Sequence, residues 1–349
     1  MSAVAAGPGA GVQAAALRRP ARVRMLWLVM LAALLVALFA ASLSIGSRSV
    51  GLEDILAALG GSAGDLNEAA VARRIPRTLL ALLAGAALGV SGAVMQGVTR
   101  NPLADPGILG VNMGASLAVA IGIAWFGMWS YTSFIWTAIF GGAAAAVFVY
   151  TVGSMGRGGA TPLKLALAGA ATSAALVSFI SAVVLPRADI ADNVRSRQIG
   201  GVGGATYAAI EQVSPFLAGG LLICLLSARA LNSLALGDDL AAGLGERVAL
   251  ARGLSSLGAV VLAGAATAIA GPIGFVGLVV PHLCRLLVGP DHRWLLPFSM
   301  LSGAALLTAS DVLGRIIAGP DELAVGIVTA FIGAPFFIWI VRRQKVREL

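Results

Sequence analysis

Two arginines, Arg74 and Arg77, are the side chains of this sequence whose type and spacing best suit a recognition chemistry. They lie three positions apart, so a helix that has begun there places both on one face. A guanidinium group is planar and permanently charged, and its paired N–H groups fit the two oxygens of a carboxylate. The pair therefore predicts recognition of an acidic partner. Arginines that face solvent or lipid phosphate are the alternative.

The composition places these arginines in a membrane protein. Of the 349 residues, 58% are hydrophobic and only 11% are charged, and the mean hydropathy is +0.93. A soluble chain of this length would have too little polar surface to cover its core. Cys224 and Cys284 stand singly in apolar runs without C-x-x-C spacing, which favours small core residues over metal or redox roles.

Ten apolar runs approach the roughly 20 residues that a spanning helix needs. They lie at 25–45, 78–98, 107–127, 133–153, 163–185, 211–231, 250–270, 272–289, 294–317 and 323–341. The first run has too long an apolar core for a cleaved signal, and we interpret it as a retained helix. The expected fold is an all-α, polytopic membrane protein.

Basic residues crowd both ends of the chain, so the positive-inside rule predicts that both termini face the cytoplasm. An even number of crossings agrees with this. The expected organisation is a basic tail at 1–24, a membrane domain at 25–341 and a basic tail at 342–349. Within the membrane domain, residues 46–77 are predicted as an outer loop and residues 232–249 as a cytoplasmic loop.

The 45 glycines predict close helix packing, because small residues let membrane helices approach. Gly85 with Gly89, and Gly110 with Gly114, have the GxxxG spacing. Gly271–Gly274 and Gly319–Glu322 are predicted to be short turns. A shift of 179 residues lays residues 83–87 on residues 262–266, which predicts an inverted internal repeat. Chance similarity in a chain rich in Ala, Gly and Leu is the alternative.

The sequence shows no means of driving transport by itself. No predicted span has an acidic residue near its centre, which disfavours an ion-coupled carrier. No G-x-x-x-x-G-K-[ST] loop is present to bind nucleotide phosphates, and an intramembrane enzyme would need a buried acid, metal or nucleophile constellation. We therefore expect no enzymatic activity, cofactor, metal or nucleic-acid partner, and we expect a separate ATPase subunit. A stand-alone carrier or channel is the alternative.

Such an ATPase needs a cytoplasmic contact, and the segment between the sixth and seventh predicted spans is the candidate. Two acidic residues would favour a short helix at its N-terminal end, and two leucines four positions apart would give that helix an apolar edge. The predicted coupling residues are Leu236, Gly237, Asp238, Asp239, Leu240, Leu244 and Gly245. A helix that lies idle on the membrane surface is the alternative.

Motifs along the chain, from about residue 25 onward, resemble the FecCD family of ABC-transporter permeases. They are R-I-P-R at 74–77, N-P-L-A-D-P-G at 101–107, G-P-I-G-F-V-G-L-V-V-P-H at 271–282 and the run from Glu322 to Pro335. They stand in the family's order. The stretch at 195–204 departs from an aromatic-rich pattern seen in many relatives and carries Arg195, Arg197 and several glycines instead.

The resemblance implies a ten-helix subunit that dimerises with a copy or a paralogue and forms a pathway at the dimer interface. It also implies two cytoplasmic ATPase subunits and a substrate-binding protein or lipoprotein on the other side of the bacterial inner membrane. By position, Arg74, Arg77 and Arg315 would dock the binding protein, and residues 234–247 would contact the ATPase. Gly169, Thr172 and Ser173 would leave room in the fifth span for cargo. A ferric siderophore is the favoured cargo, followed by haem and then cobalamin.

Overall fold

The computed structural model describes residues 20–46, 50–60, 64–128, 130–155, 162–187, 199–319 and 321–343. Most of the basic tail at 1–24, the arginines Arg195 and Arg197, and the tail residues 344–349 lie outside the described residues. Within these ranges the chain forms thirteen helices. They are α1 (Ala21–Ser44), α2 (Leu52–Leu59), α3 (Leu66–Thr99), α4 (Val111–Phe126), α5 (Tyr131–Ser154), α6 (Pro162–Val184), α7 (Tyr207–Leu226), α8 (Ala228–Leu234), α9 (Asp238–Gly243), α10 (Val248–Ala270), α11 (Val276–Val288), α12 (His292–Ile317) and α13 (Val325–Arg343).

The helices agree with the ten predicted spans and confirm an all-α polytopic fold. Seven helices, α1, α3, α5, α6, α7, α10 and α12, are long and apolar enough to cross a membrane, while α4, α11 and α13 are shorter apolar helices. Residues 46–77, predicted as an outer loop, are largely helical, because α2 and the first three turns of α3 lie within them. The predicted inner loop at 232–249 includes the end of α8 and the short helix α9.

The longest helix, α3, has 34 residues and well-defined ends. Asp65 is its N-cap, and the side chain of Glu68 returns to the backbone N–H of Gly64 at 2.7 Å. At the other end Arg100 adopts a left-handed conformation with φ 50° and donates its N–H to the carbonyls of Gln96 and Gly97. Helix α3 runs through the middle of the bundle, and most of its side chains from Leu80 onward are buried.

Glycines bring the backbones of α3 and its neighbours into contact. A methyl group at Gly85 would lie 2.3 Å from the carbonyl oxygen of Gly303 in α12, and one at Gly89 would lie 2.3 Å from that of Ser299. A methyl group at Gly114 would lie 2.5 Å from the carbonyl oxygen of Gly141 in α5. These contacts confirm helix packing for Gly85 with Gly89. The prediction for Gly110 with Gly114 is only half right, because Gly110 precedes α4 in a left-handed conformation with φ 77°.

Two non-helical segments, 101–110 and 271–275, fold into the bundle from the ends of α3 and α10. Asn112, the second residue of α4, donates to the carbonyl of Ile273 at 3.2 Å, just before α11 begins. Asp105 is 5% exposed and its Oδ1 accepts from the N–H of Gly107 at 2.7 Å. Burial raises the pKa of Asp105 to about 6, although hydrogen bonds from the backbone N–H groups of Gly107 and Ile108 act to lower it. The segment between α3 and α4 therefore carries an acidic residue into the protein interior.

Candidate functional site

A group of five charged residues, here called the arginine cluster, joins α3 to α12 and to the turn after α12. Its members are Arg74, Arg77, Asp311, Arg315 and Glu322. Arg77 donates to both carboxylate oxygens of Asp311 through Nε, at 3.0 and 3.1 Å, and through Nη2 at 2.8 Å. Arg315, one helical turn after Asp311, approaches the second oxygen at 2.8 Å. The side chain of Asp311 has no exposed surface, so it is a buried anion between two cations.

Arg74 and Arg315 also donate hydrogen bonds to the end of α1. Arg74 Nη1 donates to the carbonyls of Leu43 and Ser44 at 2.7 and 3.2 Å. Arg315 Nη1 donates to the carbonyls of Ser42 and Ile45, both at 2.8 Å. Arg74 is 8% exposed and Arg315 is 6% exposed. These two arginines satisfy carbonyls that the last turn of α1 leaves without helical partners.

Glu322 is the exposed member of the arginine cluster. Its carboxylate accepts from Arg77 Nη1, and 47% of its side-chain surface is accessible. Beside it is a cavity of about 440 Å³ between the end of α1, the end of α12 and the turn at 319–322; Arg315 and Glu322 both line it. Three arginines were predicted to dock a partner. Among the described residues, Arg77 is the one of the three that pairs with an exposed carboxylate, that of Glu322.

The predicted coupling residues form a compact exposed segment, here called the leucine segment (residues 236–245). Gly237 precedes α9 with φ 108°, a conformation that side-chain-bearing residues rarely adopt. The side chains of Leu236, Leu240 and Leu244 are 57%, 63% and 68% exposed. Gly245 ends the segment with φ 85°. Asp238 and Asp239 lie in the first turn of α9, as predicted.

The leucine segment is attached to the bundle through Asp238. Oδ1 of Asp238 accepts from Arg100 at 2.8 Å, just after α3, and from Arg252 at 2.9 Å, in α10. Nearby, Asn232 at the end of α8 donates to Asp291 at 2.6 Å, and Asp291 caps α12. Burial alone would raise the pKa of Asp291, but hydrogen bonds from Arg293 and Asn232 and the charges of Arg293 and Arg24 outweigh it, and this pKa is lowered.

The arginine cluster and the leucine segment lie at opposite ends of α3. Arg77 belongs to the N-terminal third of this helix, while Arg100 directly follows its last residue. At 1.5 Å per residue the two positions are roughly 35 Å apart along the axis. This separation matches the ~30 Å hydrocarbon core of a bilayer. A single helix therefore joins the arginine cluster to the leucine segment over about one bilayer thickness.

The predicted pathway residues in α6 are in three different environments. Gly169 is buried, and a methyl group there would lie 1.8 Å from the carbonyl oxygen of Ile108, so Gly169 serves packing against the segment before α4. Thr172 lies near Gly110. Ser173 lines a cavity of about 260 Å³ that Asp105 and Asn112 also line. The exposed face of α6 includes small residues, namely Ala170, Ala171, Ala174, Ala175 and Ser178, and larger apolar residues such as Leu167 and Phe179.

The sequence did not indicate the ion-pair partners of the predicted residues in either region. Asp311 precedes Arg315 by four positions, a spacing that indicates an intrahelical pair. Its pairing with Arg77, which is 234 residues away, has no local signal. Arg100 and Arg252 likewise lie 138 and 14 residues from Asp238 in the chain, and neither separation predicts their contacts with it. Cys224 and Cys284 are buried free thiols, as expected of core residues.

Comparison with known proteins agrees with this geometry. The ferric enterobactin transport system permease protein of Escherichia coli K12 is 46% identical over 313 residues, which cover 89% of this chain and 93% of the relative. The hemin transport system permease protein of Yersinia pestis is 40% identical over 281 residues, covering 78% and 82%.

A solved structure, described as an inward-facing conformation of a metal-chelate type ABC transporter, superposes with a TM-score of 0.75 at 30% identity and covers 91% of this chain and 98% of its own. The model of the FecCD transport family matches residues 34–343. This chain belongs to the FecCD transport family and is an ABC importer permease subunit.

Proposed function

We propose that this permease carries a ferric siderophore across the bacterial cytoplasmic membrane, with the work supplied by ATPase subunits that bind the leucine segment. One observation carries the proposal, namely that α3 joins the arginine cluster to that segment across about one bilayer thickness. Three exposed leucines on and beside a short anchored helix suit insertion into a cleft of another protein. Both termini then face the cytoplasm, on the same side as the leucine segment.

The arginine cluster is proposed as the docking surface for a substrate-binding protein or lipoprotein that presents carboxylates. The cluster holds three cations and two anions, so it has a net positive charge that attracts an acidic surface. Arg77 offers direct pairing at the surface. Arg74 and Arg315, which are buried, contribute positive charge and hold the end of α1 in place.

The second permease subunit is proposed to pack on α6 and α13. Both helices expose apolar side chains, including Leu167 at 62%, Phe179 at 60% and Phe331 at 75%. A groove of about 750 Å³ runs along α13 beside Phe331 and Ile338. The small residues on the exposed face of α6 would leave space for a bulky chelate between the two subunits, while other exposed faces contact lipid.

The cargo proposal is supported by relatives whose names specify ferric enterobactin, hydroxamate and citrate. Haem is the next candidate because a hemin permease is also similar, and cobalamin is third. The cationic docking side agrees with an anionic ferric chelate, but it does not distinguish among the three.

The test is uptake by proteoliposomes that contain this chain with its ATPase subunits, supplied with the binding protein from the same transport system. We expect ATP-dependent accumulation of a ⁵⁵Fe-siderophore, drawn from a panel of catecholate, hydroxamate and citrate chelates, in excess of haem and cobalamin. Leu240→Glu with Leu244→Glu should abolish ATPase association, while gel filtration shows an intact permease. Accumulation against a gradient without any ATPase would reject the proposal in favour of a stand-alone carrier.

A further inference from the structure

We propose that Glu322 is an internal substitute for a carboxylate of the docking partner. Glu322 pairs with Arg77 until the partner arrives, and a carboxylate of the partner then takes its place. The inference rests on the proposed docking role of the arginine cluster. It adds a competing group within the same chain and identifies which cation is exchanged.

The donors of Arg77 are divided between a buried and an exposed carboxylate. Nε and Nη2 are committed to Asp311, which has no exposed surface. Nη1 points outward to Glu322, of which nearly half is accessible. The buried contact fixes the position and plane of the guanidinium, so Nη1 stays aimed at the surface whatever occupies it.

Glu322 is placed where it can leave. It lies between the end of α12 at Ile317 and the start of α13 at Val325, outside both helices. The next residue, Leu323, donates its N–H to the carbonyl of Gly314 in α12 at 3.3 Å, so Glu322 would leave by rotation of its side chain. Glu322 lines the cavity of about 440 Å³, so an incoming side chain can reach it from there. The Glu322 carboxylate and Arg77 Nη1 also lie together within 4 Å of a methyl group placed at Gly203. Replacing one exposed carboxylate by another keeps the charge of the arginine cluster constant, and the exchange therefore costs little desolvation.

The other two arginines cannot exchange partners in this way. Arg315 donates to two carbonyls of α1 and to the Ser42 hydroxyl at 2.6 Å. Arg74 is similarly bound to carbonyls at the end of α1. Freeing either would leave backbone acceptors without donors. Arg77 is thus the exchangeable cation, and Glu322 sets how strongly a partner must compete for it.

The first experiment needs no partner protein. Permease labelled with ¹⁵N-arginine is titrated with glutarate in detergent micelles, and the Arg77 resonance is assigned by its loss in Arg77→Lys. In Glu322→Gln the resonance should shift with an apparent affinity about two- to fivefold tighter than in the unchanged protein, the factor expected for loss of one exposed ion pair. Asp321→Asn is the matched control, since Asp321 is an exposed neighbour that lines the same cavity.

The second experiment measures binding-protein affinity for the assembled transporter in nanodiscs. Glu322→Gln should tighten it about two- to fivefold, with Asp321→Asn near the unchanged protein. Equal tightening in both variants would overturn the inference, because general surface charge would explain it. An unchanged affinity of Glu322→Gln for glutarate, or for a binding protein that does bind the unchanged transporter, would overturn it as well. If the glutarate experiment succeeds and the binding protein fails to bind any variant, the exchange stands and the proposed docking role falls.

Discussion

Arg100 and Asp238 meet at 2.8 Å, and this contact attaches the leucine segment to the residue that ends α3. Arg252 holds the same carboxylate oxygen from α10 at 2.9 Å. Two cations, one directly after α3 and one in α10, thus fix the base of α9 while the leucines of the leucine segment stay exposed. The arrangement presents an apolar edge in one orientation, as a contact that transmits movement requires.

The first prediction concerns this anchor. Asp238→Asn removes the charge that both arginines share, so α9 should lose its fixed orientation and the ATPase should associate at least several-fold more weakly. The measurement is co-purification and basal ATP hydrolysis of the assembled complex.

Asp239→Asn is the control for the anchor. Asp239 is an exposed neighbour in the same turn of α9, and its substitution changes the net charge equally. Equal loss in both variants would show that acidity alone, rather than the anchor, supports the contact.

A second prediction concerns Asp311, which lies between Arg77 and Arg315 without exposed surface. Asp311→Asn removes the buried anion that the buried Arg315 and the largely buried Arg77 share, and it should lower the free energy of unfolding by about 3–5 kcal/mol. Glu322→Gln removes a contact that solvent screens, and it should cost about 1 kcal/mol or less. Thermal unfolding of both variants in one detergent decides this. A small effect at Asp311 would mean that water or ions reach the cluster.

The sequence predicted the helices well because hydropathy and glycine spacing are local signals. Gly85 and Gly89 were assigned to packing from their spacing alone, and they meet α12 as expected. The ion-pair partners of the predicted site residues could not be predicted from local signals of this kind. Arg77 and Asp311 come together only after α3 and α12 have packed. The turn chemistry of residues 101–107 likewise gives no indication of its depth, which depends on where α4 and α11 begin.

A third prediction concerns Gly92 in the middle of α3. A methyl group at Gly92 would lie 2.1 Å from the carbonyl oxygen of Gly277 and 2.2 Å from its Cα. Since a backbone cannot rotate away as a side chain does, Gly92→Ala should cost about 1–3 kcal/mol of stability or more.

Gly219→Ala is the matched control, because nothing lies within 4 Å of a methyl group there and alanine favours the helix by up to about 1 kcal/mol. It should be neutral or stabilising. Comparable losses in both variants would count against the close contact of α3 and α11.

The last prediction concerns Asp105, whose pKa is raised from 3.8 to about 6 by burial in the segment that joins α3 to α4. A carboxyl group whose pKa is higher in the folded protein binds its proton more tightly there than in the unfolded chain. Its ionisation therefore destabilises the fold, and the stability of the protein should fall as pH rises from about 4 to about 6. The total corresponds to roughly 3 kcal/mol.

Asp105→Asn imitates the protonated form, so it should match the unchanged protein at pH 4 and exceed its stability at pH 7.5. Asp291→Asn is a control of opposite sign. The pKa of Asp291 is lowered, so this variant should be less stable than the unchanged protein at pH 7.5, and the difference should shrink as pH falls. Thermal unfolding at four pH values between 4 and 7.5 measures both. A stability difference for Asp105→Asn that does not vary with pH would show that this carboxyl group keeps its ordinary pKa and that water reaches the interior of the bundle.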